Sequence, residues 1–277
     1  MNPEITEKYQ NLILEVNNLA HPRILINVGS HGNEVLGHEV IDKLKDIQVL
    51  NGSITFHTAN ELAVKQNKRF IDSDLNRSFP GSASGNYEQQ IASEMMKYLP
   101  YFDYVIDIHS TVSDTKDCLI IEDNSSEIQK LLSVCQNAKT VLHMTATKGL
   151  SIFRATRLPG RIIPAIVFEY GDNDSDTIEK TYSDILNILS LLGVIESINS
   201  VIKIHKLQQF ECYATYPKLE TDIPNSKIKN YEMIHKGGVV GYSEDGTSIL
   251  SDSDFYPILF GETNYTTIFG FKANKLG

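Results

Sequence analysis

His31 and Glu34 stand three positions apart in Gly29-Ser30-His31-Gly32-Asn33-Glu34, directly after an apolar run. An imidazole and a carboxylate at that spacing are half of a metal site. The run at 24–28 reads as a buried strand and residues 35–44 carry apolar side chains at helical spacing, so the pair sits on a strand-to-helix turn. Open α/β sheets keep their chemistry at such turns. A polar turn whose carboxylate favours the helix start would place the same two residues there. The stretch 69–81 packs Arg69, Asp72, Asp74, Asn76 and Arg77 ahead of Pro80-Gly81. Guanidinium groups offer planar, paired donors that match a carboxylate, which reads as an anion-binding loop. A surface turn whose Asp and Arg side chains pair with one another is the alternative. Two more apolar runs end on polar groups, 104–108 on His109 and 163–168 on Glu169. Each alone could be a hydrogen-bonded structural residue or the partner of an arginine. With His31 they make three strand ends that one sheet edge would gather into a single cleft.

The elements that must position these residues alternate to about residue 193. Strands are expected at 53–57 and 118–121, and helices at 87–99, stopped by Pro100, at 126–135 and at 177–192, closed by Gly193. Asp174-Ser175-Asp176 supplies capping chemistry for the last of these. The alternation predicts an α/β sheet with helices on both faces. Beyond residue 201, Phe210, Tyr213, Tyr216, Ile223, Val239, Val240, Ile249, Tyr256 and Phe260 are scattered among turn residues, a pattern of short strands. The expected organisation is a catalytic domain at 1–202 and a smaller β-rich domain at 203–277 that contributes to the site. His143, His205 and His235 read as structural or surface residues.

In their order, G-x-H-G-N-E at 29–34, R-F-I-D-x-D-L-N-R at 69–77, D-I-H-S-T at 107–111 and F-E-Y-G at 168–171 resemble the aspartoacylase and succinylglutamate desuccinylase family, itself similar to the zinc carboxypeptidases. The stretches 245–247 and 256–265 resemble the end of the aspartoacylase sequences, so the resemblance fails only over the first twenty or so residues. It implies a zinc-carboxypeptidase-like mixed sheet flanked by helices, and one zinc ion (Zn2+) per chain on His31, Glu34 and His109. Two imidazoles and one carboxylate form the ligand set of a catalytic site that keeps a position open for water, and such a zinc lowers the pKa of that water to about 7. The resemblance makes Glu169 the general base and Arg69 the group that polarises the carbonyl. It puts the substrate's α-carboxylate on Asn76, Arg77 and Tyr265, and lets Glu262 orient that end of the site. Arg157, in Ala155-Thr156-Arg157, matches the arginine that holds a second carboxylate, with Arg161 as the fallback because a small insertion precedes Glu169. Two departures stand out: Phe153 replaces a common tyrosine, and Ser110 a common asparagine. The implied reaction is deacylation of an N-acyl acidic amino acid, N-acetyl-L-aspartate to acetate and L-aspartate. Succinylglutamate desuccinylation is the nearest alternative. A non-catalytic metal- or metabolite-binding protein is the alternative of another class.

Composition narrows the partners. A chain of 277 residues can bury one large core or two unequal ones. Its 25 Lys+Arg against 35 Asp+Glu give a net charge of -10, which disfavours non-specific binding to nucleic acid and to anionic membranes. An acidic chain with dicarboxylate substrates must therefore concentrate its cations at the site. No apolar stretch reaches spanning length, and Met1-Asn2-Pro3-Glu4 lacks a basic region followed by an apolar core, so the expected compartment is the cytoplasm. Cys118, Cys135 and Cys212 have no C-x-x-C spacing and read as reduced thiols. The expected partner is a small-molecule substrate, with a homodimer left open.

Overall fold

The computed structural model describes residues 12–15, 21–111, 117–146, 151–198, 206–262 and 265–277. In chain order the strands are β1 (Leu12–Glu15), β2 (Arg23–Val28), β3 (Ser53–Thr58), β4 (Tyr104–His109), β5 (Cys118–Ile121), β6 (Thr140–Met144), β7 (Arg157–Leu158), β8 (Arg161–Ile162), β9 (Ala165–Glu169), β10 (Gln208–Pro217), β11 (Ile223–Pro224), β12 (Val239–Tyr242), β13 (Ser248–Leu250), β14 (Tyr256–Ile258) and β15 (Ile268–Leu276). The helices are α1 (Leu36–Leu44), α2 (Glu61–Gln66), α3 (Tyr87–Tyr98), α4 (Ser126–Val134), α5 (Phe153–Thr156) and α6 (Ser175–Leu191). Ten strands form one mixed sheet in the order β1-β3-β2-β4-β9-β5-β6-β10-β15-β14. Neighbours among β3, β2, β4 and β9 are parallel, whereas β5 runs antiparallel to β9.

The central strands are buried on both faces, which is why they read as continuous apolar runs. Their period of two sorts the side chains. Ile24, Ile26, Val28, Ile106, Ile108, Ile166 and Phe168 enter one core with residues of α1, α4 and α6. Leu25, Val105, Ala165 and Val167 enter a second core with Ala92 and Met95 of α3. Each fully buried aliphatic side chain contributes on the order of 1.5–3 kcal/mol. By the same parity Asn27, Asp107, His109 and Glu169 project from the second face, so the pattern that builds the core also aims the polar groups.

The helix ends follow local chemistry. Asp174 caps α6 by accepting from the Thr177 N–H (2.8 Å), and α1, whose own N-cap Val35 has no side-chain oxygen, takes Asn173 Oδ1 on the Leu36 N–H (2.8 Å). Strand β6 and helix α2 were not expected from the sequence. The expected boundary at 202/203, together with His205, lies outside the described residues. On the described side of it, β10, β15 and β14 extend the main sheet through the parallel β6–β10 pair, while β11, β12 and β13 form a separate three-stranded sheet. Among the described residues no helix is long and apolar enough to cross a membrane. The three cysteines are buried free thiols.

Candidate metal centre and active-site cleft

The turn after β2 has no room for larger residues at its centre. Gly32 gives its N–H to the Arg69 carbonyl (3.1 Å) and lies so close to α2 that an added Cβ would sit 2.1 Å from the Ala63 carbonyl carbon. Gly29 holds a φ of +64°, the left-handed region that suits glycine. This tight turn sets His31 beside Glu34, with His31 Nδ1 2.6 Å from Glu34 Oε1. The other oxygen, Glu34 Oε2, lies 2.8 Å from His109 Nδ1 at the end of β4 and accepts from the Ser110 N–H (3.2 Å). Because the backbone makes that last contact, serine in place of asparagine leaves it intact. The three buried side chains bring one ligand atom each within 4.8 Å of one another. Burial alone would raise the Glu34 pKa; the two imidazoles overcome it and hold the carboxyl well below the usual range.

Each histidine has a carboxylate behind it. His31 Nε2 lies 3.2 Å from Asp74 Oδ1, and His109 Nε2 lies 3.0 Å from Asp107 Oδ2. Burial works against the Asp74 charge too, yet His31 and Arg69 keep this carboxyl below its ordinary value. Arg69 reaches both sides of the centre, donating to Glu34 Oε1 (3.3 Å) and Asp74 Oδ2 (3.5 Å). Its loop is pinned by the fully buried Glu88 of α3, which accepts from the Ile71, Asp72 and Ser73 N–H groups (2.7, 3.0 and 3.1 Å). Sequence reasoning passed over Glu88 and gave Asp74 no role beyond pairing with an arginine of its own loop. The available signal was a carboxylate in the first turn of a helix and an Asp two residues before Asn76, whose N–H it caps (2.8 Å).

Glu169 faces His109 across β4 and β9 in direct register. Its Oε2 is shut off from solvent and has no hydrogen-bond partner among the described residues. Burial pushes its pKa up to about 8; Glu34 and Glu262 add to the rise, against His109 and Arg69. A carboxyl with one sealed, unsatisfied oxygen beside a ligand cluster marks a place where a substrate atom or water belongs.

These groups open on one cleft. His31, Arg69, Asn76, Arg77, His109, Glu169 and Tyr265 line it, so most of the expected site residues meet there. Glu262, itself buried, accepts from Thr111 Oγ1 (3.0 Å) and acts on Glu169 through its charge. The structure does not bring Arg157 or Arg161 to the cleft wall. Arg157 grips Glu122, a carboxylate only 2 % exposed, through Nε (3.3 Å) and Nη2 (3.1 Å). Arg161 is exposed and pairs with Asp103 (3.1 Å). Ile120, Met144, Ile152, Phe153, Val167 and Phe271 form an apolar part of the wall.

Residues 20–192 match the family described as Succinylglutamate desuccinylase/Aspartoacylase catalytic domain. A probable aspartoacylase from Nostoc sp. is 27% identical over 270 residues, covering 88% of this chain and 92% of that protein. The human N-acyl-aromatic-L-amino acid amidohydrolase (carboxylate-forming) is 29% identical over 119 residues, 37% of each chain. Among solved structures, murine aminoacylase 3 superposes with a TM-score of 0.72 at 21% identity, covering 92% of this chain and 95% of that one. A succinylglutamate desuccinylase/aspartoacylase from Rhodobacter sphaeroides gives 0.68 at 18%, over 96% and 88%. At these identities the superpositions show the shared fold.

Proposed function

Because the chain belongs to the succinylglutamate desuccinylase/aspartoacylase catalytic-domain family, we propose that it is a zinc-dependent amidohydrolase that cleaves the amide bond of an N-acyl amino acid. The observation that carries this reading is the buried His31–Glu34–His109 cluster with Glu169 in register beside it, its Oε2 without a partner among the described residues. The donor set fits zinc: two imidazole nitrogens and a carboxylate oxygen on buried side chains, the combination that leaves a coordination position open. When bound there, zinc supplies Lewis acidity that lowers the pKa of water and polarises a carbonyl.

The chain's own groups do the rest. Glu169 accepts the proton of the attacking water and returns it to the amide nitrogen as the C–N bond breaks, giving a carboxylate and a free amine. A carboxyl at about 8 with no cation present is poised near neutrality, and an added positive charge favours its ionised form. Arg69, fixed by Glu34 and Asp74, offers its remaining N–H groups to the oxygen on which charge develops. Arg77, Asn76 and Tyr265 take the α-carboxylate, and Glu262 orients this end through Thr111. Buried free thiols support a reducing compartment, in keeping with the cytoplasm.

Two substrate readings follow. N-acetyl-L-aspartate rests on the motif resemblance and on an arginine for the second carboxylate, a role Arg157 could take only by leaving Glu122. The apolar wall and that ion pair favour a second reading, a substrate whose side chain or acyl group is neutral. Hydrolysis of N-acetyl-aspartate, N-acetyl-glutamate, N-succinyl-glutamate, N-acetyl-alanine and an N-acetyl aromatic amino acid, with chelator and with zinc restored, tests both. Zinc-dependent turnover of any member supports the activity, and the preferred member selects the reading. No turnover across the set with zinc present would contradict it.

A further inference from the structure

Behind His109 the chain holds a row of polar groups that the proposed reaction does not use. Asn27 of β2 is opposite both His57 of β3 and Asp107 of β4 in the sheet register, so three adjacent strands present their side chains side by side on one face. Asn27 Nδ2 lies 2.7 Å from Asp107 Oδ1, Asn27 Oδ1 lies 2.7 Å from His57 Nδ1, and His57 Nε2 lies 2.9 Å from the Tyr98 hydroxyl at the end of α3. Asn27 and Asp107 are fully buried.

The direction of every bond follows from one fact: a carboxylate only accepts. Asp107 therefore requires the amide nitrogen of Asn27, which leaves Asn27 Oδ1 toward His57. That oxygen requires a proton on His57 Nδ1. Burial keeps His57 neutral, with its pKa lowered to about 4 against a partial rise from Asp107, so Nε2 is bare and accepts the Tyr98 hydroxyl proton. Burial holds the Tyr98 phenol protonated, its pKa far above the usual value. At the other end, the second oxygen of Asp107 accepts from His109 Nε2–H, which leaves Nδ1, 2.8 Å from Glu34 Oε2, as the ring atom that faces the ligand cluster. Asn76 Nδ2 lies 3.2 Å from the same His109 Nε2; with the ring proton on Nε2 both atoms would be donors, so this direction requires the amide to turn its Oδ1 toward the ring. The Asn27 amide also donates to Ser30 Oγ (3.1 Å), the residue before His31.

We propose that Tyr98, His57 and Asn27 are positioning residues for the metal centre: a one-directional run of donated hydrogen bonds, Tyr98 to His57 to Asn27 to Asp107, that holds Asp107 in place and thereby fixes the tautomer and ring orientation of His109. This rests on the reading of His109 as a ligand. Partners behind a ligating histidine typically change metal affinity by about 10–100-fold when lost. The effect should fall with distance from His109.

Long-range 15N–1H spectra of the imidazoles, recorded on zinc-loaded and metal-free protein, test the direction of the chain. His57 is expected neutral with the proton on Nδ1 in both forms; a proton on Nε2, or a charged ring at neutral pH, overturns it. Zinc affinity by chelator competition tests the consequence. His57→Leu is expected to weaken zinc binding about tenfold and Tyr98→Phe by less, each with an altered visible spectrum of the cobalt-substituted protein. His57→Gln, whose amide can donate to Asn27 and accept from Tyr98, is expected to recover most of the loss. Unchanged zinc affinity and cobalt spectra in all three variants would overturn the proposal, even if their melting temperatures fell. Wild-type protein that takes up no zinc would sink the metal reading instead, while the His57 tautomer still decides the hydrogen-bond direction.

Discussion

The two sides of the cleft are built differently. On the ligand side, His109 and Glu169 stand at the ends of central strands in register, and the buried Asn27 and Asp107 of the same face sit below them. Elsewhere on the cleft wall, Phe153 sits on the four-residue α5, and Arg157, which follows in a two-residue strand, lies off the wall. The first side is fixed by the pairing of the sheet, so its side chains have one place to go. The second is fixed by whichever tertiary partner comes near, and for Arg157 that partner is Glu122. The proposed chemistry uses the side that the sheet fixes, and the two substrate readings differ on the side where the chain has fewer constraints.

The largest effect should come from the ligand side. Glu169→Gln is expected to keep metal and fold while kcat falls by about 10²–10⁴, measured at saturating substrate; a near-normal kcat would assign the base elsewhere. Arg69→Ala should lower kcat by about 10²–10³ with zinc still bound, and a loss confined to KM would make Arg69 a binding residue instead.

Acid stability gives a smaller measure of the sheet side. Burial lowers His38 and His57 from 6.5 to about 4. Each therefore contributes stability that is present above pH 6.5 and lost as pH falls from there through 4, on the order of 3 kcal/mol when complete. Unfolding of the metal-free protein followed from pH 7 to pH 4 should show this loss, and His57→Gln should flatten part of it. An unaltered slope in the variant would mean that His57 is not held neutral.

The smallest expected change sharpens the comparison most. Arg157→Ala should cost about 2–3 kcal/mol of stability by taking the cation from the buried Glu122 carboxylate and lower hydrolysis of N-acetyl-aspartate and N-acetyl-alanine alike. The motif resemblance expects something else, a loss on N-acetyl-aspartate larger by about two to three powers of ten. Parallel kcat/KM measurements on the two substrates separate these outcomes.

The same contrast explains what the sequence made legible. Strand runs such as 24–28 and 104–108 are visible because burial on both faces demands mostly apolar residues, and His109 and Glu169 are visible because each ends such a run. Asn27 and Asp107 also left a mark, a polar residue in the middle of each run, but its meaning depended on the register that pairs them with each other and with His57. Glu88 could not be read as the anchor of the Arg69 loop, since it lies far along the chain from Ile71 and Ser73 and only the fold brings them together. Strand β6, set between Lys139 and Thr145, lacks a clean apolar run. The C-terminal strands were legible as strands, while the addition of β10, β15 and β14 to the main sheet is a matter of pairing partners that alternation does not encode.

The central claim is that His31, Glu34 and His109 form one metal site. Metal analysis of the purified chain after zinc loading and exhaustive dialysis, beside His109→Ala treated in the same way, tests it most directly. One zinc per wild-type chain and a near-complete loss in the variant is the predicted result; equal zinc in both, or none in the wild type, would contradict it.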